Sequence, residues 1–467
     1  MLAPTMSSSS TLVVDNPFTG ETACAIPFSD DIDATLDGAG MAARAWRTTD
    51  LPERLALCER AVACMLSEAE AIADDITRMM GKPIGQARGE VKTMGVRART
   101  MMSMAESALA DVVIEQTPAF ERRIVREPLG VVFDLPAWNY PLLTAVNCVI
   151  PAVVAGNAVV LKHSLRSPLC GEHFAHAFAA AGAPAHLVQA LHCDHPTSER
   201  VVGDPRVDHV VFTGSVFGGH RVVQAAAKRF MHPGLELGGN DPAYVAPDCD
   251  LAKTVDSIVD GAIYNAGQSC CAVERIYVHR TIYGRFIEMA ESLVRAYKLG
   301  DPMRDDTTLG PLAQPQHPGE LETLVQDARS HGARVIAGGG RTTVGGRGRF
   351  FEATLVVDCS HAMQLFRRES FGPIVAISPV DSDEEALAKM NESALGLTAS
   401  VWTGDLERAR VFGRALDHGT VFMNRCDYLD PALPWSGRKD SGRGVGLSAL
   451  GFEALTQPKA LHFRASW

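Results

Sequence analysis

From Val131 onward the chain alternates short apolar runs with helix-length segments, and this alternation restricts the fold more than any other feature. Residues 131–134, 158–162, 187–191 and 209–213 read as strands. Residues 141–154, 169–181 and about 219–230 read as the helices between them, the first closed by Gly156. Strands separated by helices pair in parallel with right-handed crossovers, and ligands of such sheets sit beyond the C-terminal strand ends. A second alternation starts near Pro242, with strands at 275–278, 334–337 and 374–379 and helices at 282–297 and 384–391. Upstream, 31–47, 52–80 and 84–113 carry helical apolar spacing, and Gly81-Lys82-Pro83 stops the second of these. Asn16 to Glu21 reads as a turn between two short strands. The fold class is therefore α/β, with two parallel-sheet domains, since 467 residues exceed one core. The expected boundaries are 1–113 with 130–238 for the first domain and 239–455 for the second. Residues 114–129 and 456–467 fit neither.

Composition narrows the function classes. Hydrophobic content of 46% and charged content of 21% are those of an ordinary soluble globular protein. A net charge of −11 without a long basic run argues against nucleic acid as a partner. Eleven cysteines with no C-x-x-C pair argue against a disulfide framework or a zinc site, so no metal is expected and a reducing, cytoplasmic compartment fits. His173 and His176 are one helical turn apart, but nothing in the sequence completes a metal site. Residues 1–10 are Ser-rich, expected to be disordered, and lack the basic and apolar regions of a signal peptide. The longest apolar run, 142–155, is interrupted and shorter than the roughly 20 residues that span a bilayer, so no membrane partner is expected.

Two segments carry the chemistry. Glu236-Leu237-Gly238-Gly239-Asn240 sets a carboxylate before two glycines. Asn265-Ala266-Gly267-Gln268-Ser269-Cys270-Cys271 sets a thiol among small residues, 34 positions from Glu236. A thiolate adds to electrophilic carbon, and a nearby carboxylate activates water. With Pro136-Ala137-Trp138-Asn139-Tyr140-Pro141, these segments resemble the aldehyde dehydrogenase superfamily from about Asn16 to the C-terminus.

The resemblance implies roles. Cys270, which follows Gly-Gln-x, would be the nucleophile. Glu236 would be the general base, and Asn139 would join the Cys270 N–H in holding an oxyanion. Cys271 would be a neighbour able to trap oxidised Cys270 as a disulfide. The first domain would bind NAD or NADP, the second would be catalytic, and the leftover segments would form a β element of a homodimer or homotetramer. Cofactor contacts implied are Trp138, Lys162, Leu165, Gly214, Ser215, Glu369 and Phe371. The chain has no G-x-G-x-x-G, which the resembling family does not use.

Leu165 stands three residues after Lys162, where family members that prefer NAD carry a glutamate. Loss of that charge, with Arg166 next to it, leaves NADP or dual use open. Gly218 replaces a branched residue expected against the adenine. The substrate side is expected at Tyr140, Cys271, Arg425, Asp427 and Tyr428, with the methionines at 101, 102 and 104. The tyrosine and methionines suit an apolar or aromatic aldehyde, Arg425 a carboxylated semialdehyde and Asp427 a cationic aminoaldehyde. The implied reaction is oxidation of an aldehyde to a carboxylic acid. A CoA-acylating dehydrogenase and a cofactor-independent thiol esterase are the alternatives.

Overall fold

The computed structural model describes residues 11–466, so the expected disorder at 1–10 lies outside the described residues. Two parallel sheets organise them, as the alternation implies. The first runs in the order Gly442–Arg443, Gly234–Glu236, His209–Thr213, Val131–Leu135, Ala158–Leu161, Val188–Ala190. Its pairs are parallel except at the Gly442–Arg443 edge. The chain leaves Val131–Leu135 in one direction, then returns with His209–Thr213 on the other side, where Val132 faces His209. The strand order thus reverses between these two strands. Trp138 and Asn139 follow the end of one, Gly214 and Ser215 the end of the other, which is where such sheets take ligands.

The second sheet has seven strands, in the order Arg334–Ala337, Thr354–Val357, Ile374–Val380, Val273–His279, Asp241–Val245, Thr398–Trp402, Thr420–Met423. Only the Arg334–Ala337 edge is antiparallel. Each sheet has its own apolar core, and the first also takes in Leu447, Phe452 and Leu455. Val112–Gln116, Phe120–Pro128 and Thr456–Arg464 form a separate antiparallel sheet with Val112, Val113 and Ile114 exposed.

Three elements depart from the sequence reading. Residues 52–80 form two helices, Leu51–Ser67 and Ala69–Met80, broken at Glu68, and Gly81 ends the second at φ +83°. The helix expected near 219–230 is Val216–Ala226, because Ser215 caps its start, and Phe230 stands exposed beyond its end. The helix expected at 84–113 ends at Leu109, and a strand begins at Val112.

The long helix Ile84–Leu109 is the informative one. Ile84, Ala87, Val91, Met94, Ala98, Met101 and Ala105 repeat at helical spacing and are buried. Glu90 and Arg97, seven residues apart on the same stripe, are buried with them. Charges in an apolar stripe are rare without partners or a function.

Candidate active site

The thiol sits on a turn that is held from every side. Helix Leu251–Ile263 ends and Asn265, Ala266 and Gly267 all take left-handed backbone angles, φ +54°, +55° and +69°. Such a run costs energy at non-glycine positions and persists only when its surroundings enforce it. Here Asn265 Nδ2 donates to the Asn139 carbonyl at 3.2 Å and to the Gln268 carbonyl at 3.1 Å. Gln268 Nε2 donates to the Asn265 carbonyl at 3.0 Å, and its Oε1 accepts from the Ala313 N–H at 2.9 Å. Glycine allows the close approaches. A Cβ on Gly239 would stand 2.1 Å from the Cys270 carbonyl oxygen, and one on Gly267 2.0 Å from the Gly372 carbonyl oxygen. The Glu-Leu-Gly-Gly and Gly-Gln-Ser-Cys segments are thus packed backbone to backbone.

Cys270 is partly exposed and Cys271 is buried. Cys271 Sγ donates to Asp427 Oδ1 at 3.1 Å, and Ser269 Oγ donates to the same oxygen at 3.0 Å. The Cys270 side chain, burial and the Asp427 charge together push the Cys271 thiol far up, so it stays protonated. Burial likewise raises the Asp427 carboxyl, despite those hydrogen bonds. Cys270 is left as the reachable sulfur of the pair. Arg425 stacks on the Tyr428 ring, 3.2 Å from its centroid, and both are exposed. Arg425 and Asp427 line a cavity of about 770 Å³ that also holds Asp256, Asp260 and Asp305. Of the methionines expected at the substrate, Met101 and Met102 are buried in the first core and Met104 packs against it.

Asn139 brings an amide to the same turn: its Nδ2 donates to the Gln268 carbonyl at 3.1 Å, which leaves its second N–H uncommitted. The Cys270 N–H donates to no acceptor among the described residues. Glu236 closes its strand, and its buried Oε2 has no hydrogen-bond partner there. Burial pushes its carboxyl well above the usual range. A cavity of about 470 Å³ is lined by Glu236, Thr144, Asn147, Phe230 and His232, among others.

The helices Ile84–Leu109 and Pro141–Ala155 form the adjoining wall. Tyr140, the N-cap of Pro141–Ala155, offers no side-chain cap. Glu90 supplies it instead, accepting from the Leu142 N–H at 2.9 Å, with its charge at the positive helix end. Its other oxygen takes the buried Lys82 ammonium, which also lies 3.9 Å over the Tyr140 ring. Arg97 has no such carboxylate. Its Nη1 donates to the Leu143 carbonyl at 3.2 Å and Asn147 Oδ1 at 3.0 Å, and its buried Nε has no partner among the described residues.

The residues expected at a dinucleotide gather at the strand ends of the first sheet. Lys162 follows Ala158–Leu161 and is buried; its N–H donates to the Asp134 carbonyl at 2.9 Å, and its side chain has no hydrogen bond or ion pair among the described residues. Ser215 Oγ accepts from the Gly218 N–H at 3.1 Å at the start of Val216–Ala226, a helix end that favours anions. Glu369 Oε1 accepts from the Gly239 N–H at 2.9 Å, which joins it to the Glu236 segment. Trp138 and Phe371 meet edge to face at 5.6 Å, with Phe371 at φ +55°. Leu165 is half-buried and carries no charge to the site. Arg166 does not reach for a phosphate: it is taken by Asp15, which also binds Arg349 at 2.6 Å.

Sequence reasoning missed several supports. Glu274 accepts from the Ser370 and Phe371 N–H groups, Ser370 Oγ and Asn240 Nδ2 at 2.8–3.0 Å, and so shapes the Glu369 loop. Asn265, Gln268, Lys82, Glu90 and Arg97 are further ones. A charged residue inside an apolar helical stripe was the available signal for the last two. His176 converges with Cys64 and Glu68, their ligand atoms within 4.8 Å, an arrangement invisible from the helix spacing alone.

A reachable thiol and an amide donor on one turn, with a buried carboxylate in the segment packed against it, are the equipment of covalent carbonyl chemistry. Residues 5–461 match the model of the aldehyde dehydrogenase family, and the chain belongs to that family. It is 35% identical over 446 residues to a succinate-semialdehyde dehydrogenase (NADP+) of Deinococcus radiodurans, covering 95% of this chain and 93% of that one. It is 34% identical over 435 residues to an aldehyde dehydrogenase of Paenarthrobacter nicotinovorans, with 92% and 94% covered. The solved succinic semialdehyde dehydrogenase of Streptococcus pyogenes, in complex with NADP+, matches with TM-score 0.92 and 28% identity over 97% of this chain and all of that one. No helix among the described residues is long and apolar enough to cross a membrane.

Proposed function

We propose that this protein oxidises an aldehyde to a carboxylic acid with NAD or NADP, through a thioester on Cys270 that water hydrolyses. The observation that carries the reading is the rigid turn that presents Cys270: Asn139 is bonded to it through the Gln268 carbonyl, and the Gly239 backbone of the Glu236 segment packs against the Cys270 carbonyl. The dinucleotide fits the residues present. Lys162 is a buried cation whose side chain has no partner among the described residues, Ser215 opens a helix, and Glu369 is anchored beside the Glu236 segment. Lys162 and Glu369 would hold ribose hydroxyls, the helix start a phosphate, and Trp138 and Phe371 would wall the pocket, beside Gly214. When bound, the oxidised nicotinamide supplies the hydride acceptor. Leu165 leaves no carboxylate to repel a 2′-phosphate, which favours NADP or dual use, with Arg166 committed elsewhere.

Cys270 attacks as thiolate: a C–S bond forms and the carbonyl electron pair moves to oxygen. Asn139 Nδ2 and the Cys270 N–H hold that oxyanion, a contribution of about 3 kcal/mol per donor in comparable sites. When hydride leaves the carbon, the C=O bond re-forms and a thioester remains. Glu236, once ionised, takes a proton from water as it attacks. The C–S bond then breaks and the Cys270 thiolate departs from the acid. Tyr140, Cys271, Asp427 and Tyr428 would border the substrate, with Asp427 bonded to Ser269 and Cys271 beside the reacting sulfur. The first sheet would be the dinucleotide-binding domain, the second the catalytic domain, and the three-stranded sheet the oligomerisation element of a homodimer or homotetramer.

The test is reduced-nucleotide formation with NAD and NADP across apolar, carboxylated and amino aldehydes, with and without CoA, together with identification of the product. Free acid without CoA supports the reading. Acyl-CoA formed only in its presence would overturn the hydrolytic step. Ester cleavage without any nucleotide, and no oxidation, would overturn the redox one.

A further inference from the structure

We propose that Arg97 binds a carboxylate at the far end of the aldehyde, making this enzyme selective for semialdehydes of dicarboxylic acids. The inference rests on the aldehyde-oxidising reading and adds the class of substrate to it.

Arg97 is 5% exposed and lies in the apolar stripe of Ile84–Leu109. Burying an unpaired cation is costly, and such groups are ordinarily paired or hydrogen-bonded throughout. Arg97 is neither. It makes no ion pair among the described residues, its two hydrogen bonds go to neutral oxygens, and Nε is buried without an acceptor. Glu90, the nearest acid on its helix face, is already committed to Lys82 and to the start of the next helix. Burial draws the guanidinium down only to about 10, so it remains a cation at neutral pH.

Its position gives the missing anion a source. Arg97 bonds Asn147, and Asn147 lines the cavity that also holds Glu236. The same guanidinium is within electrostatic reach of the Cys270 and Cys271 sulfurs. A short aldehyde reacting at Cys270 with a terminal carboxylate would bring to Arg97 the planar two-oxygen acceptor its fork lacks. The competing features point elsewhere. Arg425 stacks on Tyr428 at the surface, and Asp427 is occupied by Ser269 and Cys271, so it does not offer a free anion to an aminoaldehyde.

The experiment compares succinate semialdehyde with butanal, matched in chain length, in the parent, Arg97→Met, Arg97→Lys and Asn147→Asp. The parent is expected to prefer the carboxylated aldehyde. Arg97→Met should cut the kcat/KM ratio between the two about tenfold to a hundredfold, as expected for one charge-assisted contact. Arg97→Lys should keep part of that ratio. Asn147→Asp, which gives Arg97 an acid of its own, should lose it with the arginine still in place. Succinate should also slow alkylation of Cys270 in the parent and not in Arg97→Met. No preference in the parent, or an equal loss for both aldehydes in every variant, would overturn the inference and leave the oxidation intact. No oxidation of either aldehyde, with succinate still protecting Cys270 through Arg97, would break the activity reading and leave the carboxylate site.

Discussion

The thiol turn and the two-helix wall beside it are built on opposite terms. In the turn, Asn265, Gln268 and Asn139 bond one another, and three left-handed residues are enforced by those bonds and by glycine contacts. Around the cleft, Glu236 Oε2 and Arg97 Nε are buried without partners among the described residues, and the buried Lys162 side chain has no ion pair among them. The contrast teaches how such a site divides its work. The side-chain N–H groups of Asn265 and Gln268 are spent on the turn's own backbone, whereas Glu236 and Arg97 keep buried polar atoms unspent among the described residues. The Lys82–Glu90 pair shows that the wall itself can satisfy a buried charge, which makes its failure to do so at Arg97 meaningful.

Asn139 belongs to both regions, so its loss should cost more than any change to the scaffold alone. Asn139→Ala is expected to lower kcat/KM by about 10²–10³ through loss of an oxyanion donor, read by steady-state kinetics. A change below tenfold would assign Asn139 to the scaffold alone. Gly239→Ala attacks the scaffold instead, since its Cβ would sit 2.1 Å from the Cys270 carbonyl oxygen. It should destabilise the fold by about 1–3 kcal/mol and slow Cys270 alkylation along with turnover, as a thermal melt and a labelling rate would show.

The smallest effect is expected at the far end of the support. Asp15 holds Arg349, Arg349 holds the Leu312 and Ala313 carbonyls, and the Ala313 N–H holds Gln268. Burial opposes Asp15 ionisation, yet hydrogen bonds from Arg349 and Arg166 hold the carboxyl down at about 2. A depressed carboxyl stabilises above its unfolded pKa and loses that contribution as pH falls toward 2. Asp15 is partly exposed, so Asp15→Asn should cost about 1 kcal/mol near neutrality after solvent screening. Urea melts should find that gap closing between about pH 4 and pH 2. A gap that widened there would refute the pairing.

Much of the proposed reacting set is legible in the sequence because its residues lie in short local segments: Cys270, Glu236, Asn139 and Glu369 each sit in a Gly- or Pro-rich run. The parallel sheets were readable from the alternation. What depends on packing between distant helices was not. Arg97 meets Asn147 fifty residues away, and periodicity marks only that its stripe is apolar. The break at Glu68 escaped because apolar spacing continues across it with no Gly or Pro. Arg166 looked available next to Leu165, and only the fold reveals Asp15 beside it.

The central claim is a thioester on Cys270 resolved by Glu236. The direct measurement is intact-protein and peptide mass spectrometry of Glu236→Gln mixed with aldehyde and oxidised nucleotide, with reduced nucleotide followed in the first turnover. The account predicts one burst equivalent, an acyl group on Cys270, and steady turnover reduced about 10²–10⁴-fold. In the parent, the raised Glu236 carboxyl predicts hydrolysis that accelerates with pH through an apparent pKa above the ordinary carboxylate range. Turnover as fast as the parent's with no acyl group on Cys270 would contradict the account.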